Sequence, residues 1–485
     1  MKRRDFLKTV GLGAASLALP RTLAAKEMPR KRLNFVFILI DDMGWTDAGC
    51  YGSTFYETPH IDRLAAKGMR FTDAYAACPV CSPTRASIMA GKYPARLNLT
   101  NWLSGHIRKK LIGAPYIEQL PLQEVTLAEA FKEAGYATCF IGKWHLGGEP
   151  FYPEHQGFDV NVAGNRTGHP AGGYFSPYKN PQLPDGPQGE YLTDRLTGEA
   201  LKFLDASRDK PFLLYLSHYA VHTPIQAKQD AVAKYKAKAE ALPPPKGPRH
   251  LPEGQTQARQ VQDHPVYAGM VQSMDESVGR VMAKLDQLGL ADRTAVFFMS
   301  DNGGYSTTGG GPTSNVPLRA GKGWLYEGGI REPMIITWPG VARPGSTCSV
   351  PVTSTDFYPT MLEMAGLALR PDQHTDGIGL AALLAGAPSL PRKALYWHYP
   401  HYSPQGGAPS GAVREGDYKL IEFFEDSRLE LYNLRQDIGE KHDLAAQMPD
   451  LAARLRKMLH DWRKTVDARM PRPNPDFKQR KKGAK

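Results

Sequence analysis

Cysteine is scarce: five residues, Cys50, Cys78, Cys81, Cys139 and Cys348, in a chain of 485. That is too few for the disulfide frameworks that hold small exported domains together, and an odd count leaves one thiol over in any pairing scheme. Long apolar runs are missing as well. No stretch of roughly 18 consecutive apolar residues occurs, so no membrane-spanning helix is expected. No internal repeat of the kind that builds solenoids or propellers is visible. Acidic residues are outnumbered, 49 against 60 Lys and Arg, for a formal net charge of +11. The excess suits anionic ligands of any kind. No nucleic-acid-binding module accompanies it, and the tail FKQRKKGAK reads as a solvated end, so no nucleic-acid partner is expected.

What the chain does have is apolar mass: 41% hydrophobic and 10% aromatic residues, enough for a large core. It opens with MKRRDFLKTVGLGAASLALPRTLAAKE. Arg3 and Arg4 precede Phe6, Leu7 and Lys8, a weakly apolar run spans 10–19, and the small residues Ala24 and Ala25 follow. This order reads as a twin-arginine signal peptide over 1–25. It implies the Tat translocon as a partner and a periplasmic or secreted destination.

Four apolar, β-rich runs each lead to a polar cluster. The run 33–40 meets Asp41-Asp42, 137–141 meets Gly142-Lys143-Trp144-His145, 212–217 leads to His222-Thr-Pro, and 295–300 meets Asp301-Asn302. Near-continuous apolar strands belong in a sheet covered on both faces. Helical patterns lie between them; Met270, Met274, Val278, Val281, Leu285 and Leu288 make one apolar face. The expected fold is therefore α/β, a large, mostly parallel sheet sandwiched by helices over 30–375. In such folds ligands bind beyond the carboxyl ends of the strands, where all four clusters fall. The Pro- and Gln-rich segment 242–265 reads as a long surface loop or lid edge. Short strands at 393–398, 412–414, 418–424 and 430–433 and a helix at 450–466 make a smaller antiparallel C-terminal subdomain over 376–470. A basic tail, 471–485, follows.

The stretch ACPVCSPTRASIMAGKYPAR, 77–96, pairs Cys78 with Cys81. A Cys-x-x-Cys pair can be a redox dithiol, half a metal site, or an accident beside a modified residue. No second metal-spaced Cys/His pair and no thioredoxin-like context accompany it. Ser82 and Pro83 fit an N-cap and first helical residue, which sets Cys81 at a helix N-terminus, a position that favours a bound anion. Asp41, Asp42, Asp301 and Asn302 offer hard oxygen donors from two strand ends, a set that suits calcium and suits magnesium less well.

The motif Cys81-Ser-Pro83-Thr-Arg85 resembles the Cys-x-Pro-x-Arg signature of the type I, formylglycine-dependent sulfatases of the alkaline phosphatase superfamily, and the chain is similar to arylsulfatase A. Further blocks follow in the family's order: Asp41-Asp42-Met-Gly-Trp, Thr58-Pro-His60-Ile-Asp-Arg, Gly142-Lys143-Trp-His145, His222-Thr-Pro, Asp301-Asn302-Gly, Gly321-Lys322-Gly-Trp, Gly416-Asp-Tyr-Lys-Leu and Glu430-Leu-Tyr-Asn-Leu. The departures are small. Ala90 and Lys92 stand where the family often has Thr and Arg, and His60 replaces a common Asn.

The resemblance implies a sulfuric ester hydrolase. Cys81 would be oxidised by a formylglycine-generating maturation enzyme, and its aldehyde hydrate, acidified by the metal and Arg85, would attack sulfur. His222 would protonate the leaving alcohol and His145 would take the proton that lets sulfate depart. Lys143 and Lys322 match residues that contact the sulfate. Asp41, Asp42, Asp301, Asn302 and modified residue 81 would hold one calcium ion. Cys78 is then a bystander.

For specificity, Trp102 and His106 on one loop and His169 and Tyr174 on another are the candidates. Trp102 or Tyr174 would stack on a sugar ring, and His398 and His401 would reach the cleft from the C-terminal sheet. The expected substrate is a sulfated carbohydrate or an aryl sulfate. Two other readings compete. A phosphonate monoester or phosphodiester hydrolase would use the same metal and nucleophile. A glycan-binding protein with a dead site would not need the intact set of Cys81, Arg85, Lys143, His145, His222 and Lys322.

Overall fold

The computed structural model describes residues 32–477. The export signal expected over 1–25 and the tail beyond 477 lie outside the described residues. The frame is an eight-stranded sheet. Its five parallel strands lie in the order Thr294–Ser300, Asn34–Ile40, Phe212–Ser217, Ala137–Gly142 and Val160–Val162. Met334–Thr337 adds antiparallel to Thr294–Ser300, and Met69–Phe71 and Ser346–Cys348 complete that edge.

The central strand, NFVFILI, is buried at every position. Its side chains alternate between two cores. Val36, Ile38 and Ile40 face a cluster with Met270, Met274, Val278 and Val281 of the helix Pro265–Gln287. Phe35, Phe37 and Leu39 face the opposite layer, with Ile88 and Met89 of the helix Cys81–Ala90 and Phe357 of the helix Phe357–Ala365. Phe37 stacks on Tyr215 at 4.8 Å and meets Phe357 edge-on at 4.9 Å. Such pairs add about 0.5–1.5 kcal/mol beyond the area they bury. Burial on both faces is the reason the strands carry no polar alternation.

Register converts this frame into a site. Asn34 to Ile40 pair one-to-one with Thr294 to Ser300, so Asp41 and Asp301 emerge side by side, although 260 positions separate them. Leu39 and Gly142 both pair with Ser217, which brings Lys143 to the same edge. The ladder continues past the strand ends, from Asp301 N–H to the Ile40 carbonyl at 2.9 Å and from Lys143 N–H to the Ser217 carbonyl at 2.8 Å.

A second sheet of four antiparallel strands, Ala394–Tyr399, Ser410–Glu415, Tyr418–Phe423 and Leu429–Asn433, packs against the helix Pro449–Thr465. It meets the large sheet through charge as well as apolar contact. Lys419, fully buried, reaches Glu327 at 2.9 Å, and Arg414 reaches Asp73 at 2.8 Å, while Lys419 also pairs with Glu440 of its own subdomain at 3.0 Å. Two expectations need correction. Segment 242–265 is not all loop; it holds a hairpin of His250–Glu253 and Thr256–Arg259. The helix after Cys78 begins at Cys81 itself, with extended Val80 as its N-cap, so Ser82 caps nothing and Pro83 lies inside the first turn. Among the described residues no helix is long and apolar enough to cross a membrane.

Candidate functional site

Beyond the parallel strand ends lies a cavity of about 420 Å³, within the usual small-molecule range of about 300–1,000 Å³. Cys81, His145, His222 and Lys322 meet in its lining. The first turn of the helix Cys81–Ala90 delivers Cys81, whose Sγ lies 3.3 Å from His145 Nδ1. His145 follows the strand Ala137–Gly142 and has a left-handed backbone, φ 58°. Gly168 flanks its ring so closely that a Cβ there would lie 2.4 Å from Cε1. Burial, with Lys143 and Arg85 nearby, drives the His145 pKa well below its usual value, so the ring is neutral.

Beneath the cavity is a layer of alternating charge. Lys143 Nζ donates to Asp41 Oδ2 at 2.7 Å and Lys322 Nζ to Asp42 Oδ2 at 2.8 Å. Arg85 forks: Nε reaches Asp301 Oδ2 at 2.8 Å, and another nitrogen reaches the Lys143 carbonyl at 2.7 Å and Ser217 Oγ at 2.6 Å. Asn302 Nδ2 donates to Asp42 Oδ1 at 2.8 Å. Asp42 also has a left-handed backbone, φ 64°. Non-glycine residues held this way cost on the order of 1–3 kcal/mol and gather at functional sites.

Asp41, Asp42, Asp301 and Asn302 are all buried. Burial and the neighbouring carboxylates push Asp41 up, whereas Lys322 and His222 hold Asp42 down against the same burial. Two oxygens, Asp41 Oδ1 and Asn302 Oδ1, are buried without a hydrogen-bond donor. Crowded carboxylates with unpartnered oxygens and an all-oxygen donor set fit a hard divalent cation. His222 adjoins them. Its Nε2 lies 3.7 Å from Asp42 Oδ2, and Asp41, Asp42 and His222 each place a ligand atom within 4.8 Å of the others. His222 Nδ1 donates to the Thr223 carbonyl at 2.8 Å, which turns Nε2 toward the cavity. Burial and Lys322 lower its pKa well below the usual value.

The specificity candidates separate. Trp102 and His169 line the cavity. His106 does not; it is exposed and paired with Glu118 at 2.9 Å. Tyr174 is no stacking platform. It is fully buried, and its hydroxyl donates to the Tyr219 carbonyl at 2.7 Å and the His222 carbonyl at 2.9 Å, so it props the backbone under His222. His398 and His401 are also buried away from the cavity, His398 on the Arg469 carbonyl and His401 on Thr100 Oγ1, each at 2.8 Å. Sequence reasoning missed Ser104, Arg166, Pro404 and Gln405 in the wall. A basic residue in the Gly-rich run Gly164-Asn-Arg166-Thr-Gly was the available signal for Arg166. All five cysteines are free, and burial pushes the Cys78 thiol up, which makes it inert.

The Sulfatase family profile matches residues 33–367, and the profile described as N-sulphoglucosamine sulphohydrolase, C-terminal, matches 320–465. The chain is 33% identical to a sulfatase of Formosa agariphila, over 95% of this chain and 94% of that protein. It is 32% identical to human arylsulfatase A, over 91% and 89%. Among solved structures, Ps i-CgsB in complex with k-i-k-neocarrahexaose superposes with a TM-score of 0.74 and 30% identity, covering 92% of this chain and 95% of that one.

Proposed function

The chain belongs to the formylglycine-dependent sulfatase family and is a hydrolase of that family, and from that premise we propose that it cleaves sulfate monoesters of carbohydrates with residue 81 as the nucleophile. One observation carries the reading: Cys81, His145, His222 and Lys322 converge in a single cavity directly over the carboxylate layer. The carbohydrate half is supported by the neocarrahexaose held by the related Ps i-CgsB.

Oxidised to formylglycine by a maturation enzyme, position 81 would supply a nucleophilic oxygen that a thiol lacks. Asp41, Asp42, Asp301 and Asn302, together with residue 81, would hold a calcium ion, which would supply positive charge for the sulfuryl oxygens. This chain's own groups do the rest. Lys322 faces the cavity and offsets charge on the bound sulfate. Lys143, bonded to Asp41, and Arg85, bonded to Asp301, keep those carboxylates aimed. His222 presents Nε2 to the departing oxygen. An arriving sulfate monoanion raises its depressed pKa, because an opposite charge favours the imidazolium, and the protonated ring can then donate. Neutral His145, within 3.3 Å of residue 81, is placed to accept a proton there. Export by the twin-arginine route to the periplasm or beyond completes the proposal.

The test is kcat/KM on an aryl sulfate against the matching aryl phosphonate, with His222→Ala measured on the aryl sulfate and on a sugar sulfate. A general acid is worth roughly 10²–10⁴ where the leaving group is poor, so the variant should lose far more kcat on the sugar. A preference for the phosphonate would make this a phosphonate hydrolase. Equal losses on both sulfates would make His222 a sulfate-binding residue only.

A further inference from the structure

The cavity wall has a charged group that sulfuryl transfer does not need. Arg166 lies on the loop after the edge strand Val160–Val162 and lines the cavity, while the sulfate-handling residues Cys81, His145, His222 and Lys322 line its floor. Its side chain is half exposed. One terminal nitrogen, NH2, is anchored to Glu118 and, at 3.3 Å, to Ser104 Oγ. Glu118 is itself fixed, accepting from the Ser104 backbone N–H at 3.1 Å and from His106 at 2.9 Å. The anchor uses only that nitrogen. Among the described residues, Arg166 donates through NH2 alone, leaving Nε and NH1 without a protein acceptor, and no Asp or Glu lines the cavity to compete for them. A guanidinium held at one corner, with donors left over beside an acid-free pocket, is preorganised for an oxyanion.

We propose that Arg166 is a specificity residue that binds a second anionic substituent of the substrate, a sulfate or a carboxylate, on the ring that carries the scissile sulfate or on the one joined to it. The inference rests on the sulfatase reading for the floor of the cavity and extends it to the wall: the preferred substrates are glycans with more than one negative charge. Glu118 and Ser104 are positioning groups, because they reach the substrate only through Arg166.

A charge-assisted hydrogen bond is worth enough to change affinity roughly tenfold to a hundredfold. The direct test is calorimetric binding to full-length protein carrying Cys81→Ala, which reports recognition without turnover. Three probes are compared: a monosulfated disaccharide, its disulfated counterpart, and the monosulfated disaccharide with a uronate. The doubly charged ligands should bind at least about tenfold tighter than the monosulfate, and whichever of them does identifies the second anion. Adding Arg166→Met should collapse the difference to within about twofold, and Arg166→Lys should restore part of it. Should Arg166→Met fold poorly, Arg166→Lys and the salt dependence of the Cys81→Ala protein decide, since an ionic contact at a half-exposed group weakens as salt rises.

An unchanged preference in Arg166→Met, or none in the protein that keeps Arg166, overturns the assignment. Failure of the sulfatase reading looks different: the matured wild-type protein would turn over aryl phosphonate in preference to aryl sulfate while the Arg166-dependent binding difference persisted.

Discussion

Gly168→Ala should cripple turnover without unfolding the protein. A Cβ at this position would sit 2.4 Å from His145 Cε1 and 2.7 Å from both ring nitrogens, whereas ordinary contact begins near 3.4 Å. The ring must therefore move by about 1 Å. It cannot move toward residue 81, because Nδ1 is already 3.3 Å from Sγ there, and its own backbone is pinned in the left-handed region. Overpacking of this kind costs typically 1–3 kcal/mol. Displacement of a proton-transfer group by about 1 Å can cost on the order of 10²-fold in rate. The assay is kcat on an aryl sulfate, with thermal unfolding as the check on folding. Gly148→Ala is the control, since nothing lies within 4 Å of a Cβ there. Gly168→Ala with kcat within about twofold of wild type would refute the argument that His145 must stay where it is.

Other outcomes follow from the same geometry. Cys81→Ala should abolish turnover and Cys78→Ala should retain most of it, and the tryptic peptide around residue 81 of matured protein should weigh about 18 Da less than its thiol form, a product off the reversible thiol ladder. Asp301→Ala should fold yet retain divalent metal poorly, by elemental analysis, and lose nearly all activity; full activity in a metal-free sample would contradict the role given to the carboxylate layer. Lys419→Met should destabilise the protein by roughly 3–5 kcal/mol in chemical denaturation, since it removes the ammonium paired with buried Glu440, while Glu327 keeps Arg331. Burial and the nearby Glu327 already raise the Glu440 pKa. Its stabilising contribution is thus full below the ordinary glutamate pKa and is lost as pH rises through the raised value, and Lys419→Met should steepen that loss.

Much of this was legible because strands buried on both faces leave a plain trace. Asp41, Lys143 and Asp301 could be placed at one sheet edge from apolar runs that stop abruptly, and the C-terminal strands from short runs in the last quarter of the chain. The cavity wall left no such trace. Trp102, Arg166 and Gln405 come from three loops far apart in sequence, with no shared period. Tyr174 misled because an aromatic residue in a Gly-rich loop looks exposed. Gly173, at φ 85°, with Gln226 Oε1 accepting from the Tyr174 N–H at 2.8 Å, turns the ring inward instead. The helix start was misjudged for a related reason: in a segment buried along its whole length, packing rather than capping chemistry fixes the first turn.

The pairing of Asn34–Ile40 with Thr294–Ser300 also sets an order of events during synthesis. The strand at the middle of the sheet leaves the ribosome ahead of both its neighbours, Phe212–Ser217 and Thr294–Ser300, which follow much later. Until then Phe35, Val36, Phe37 and Ile38 have no lasting partner, and the nascent chain carries an unpaired, aggregation-prone strand until the second neighbour has emerged. The carboxylate layer cannot assemble on any fragment that ends before Asn302. A ribosome stalled short of that point should hold a chain that chaperones recognise and that acquires no metal affinity, whatever the state of residue 81.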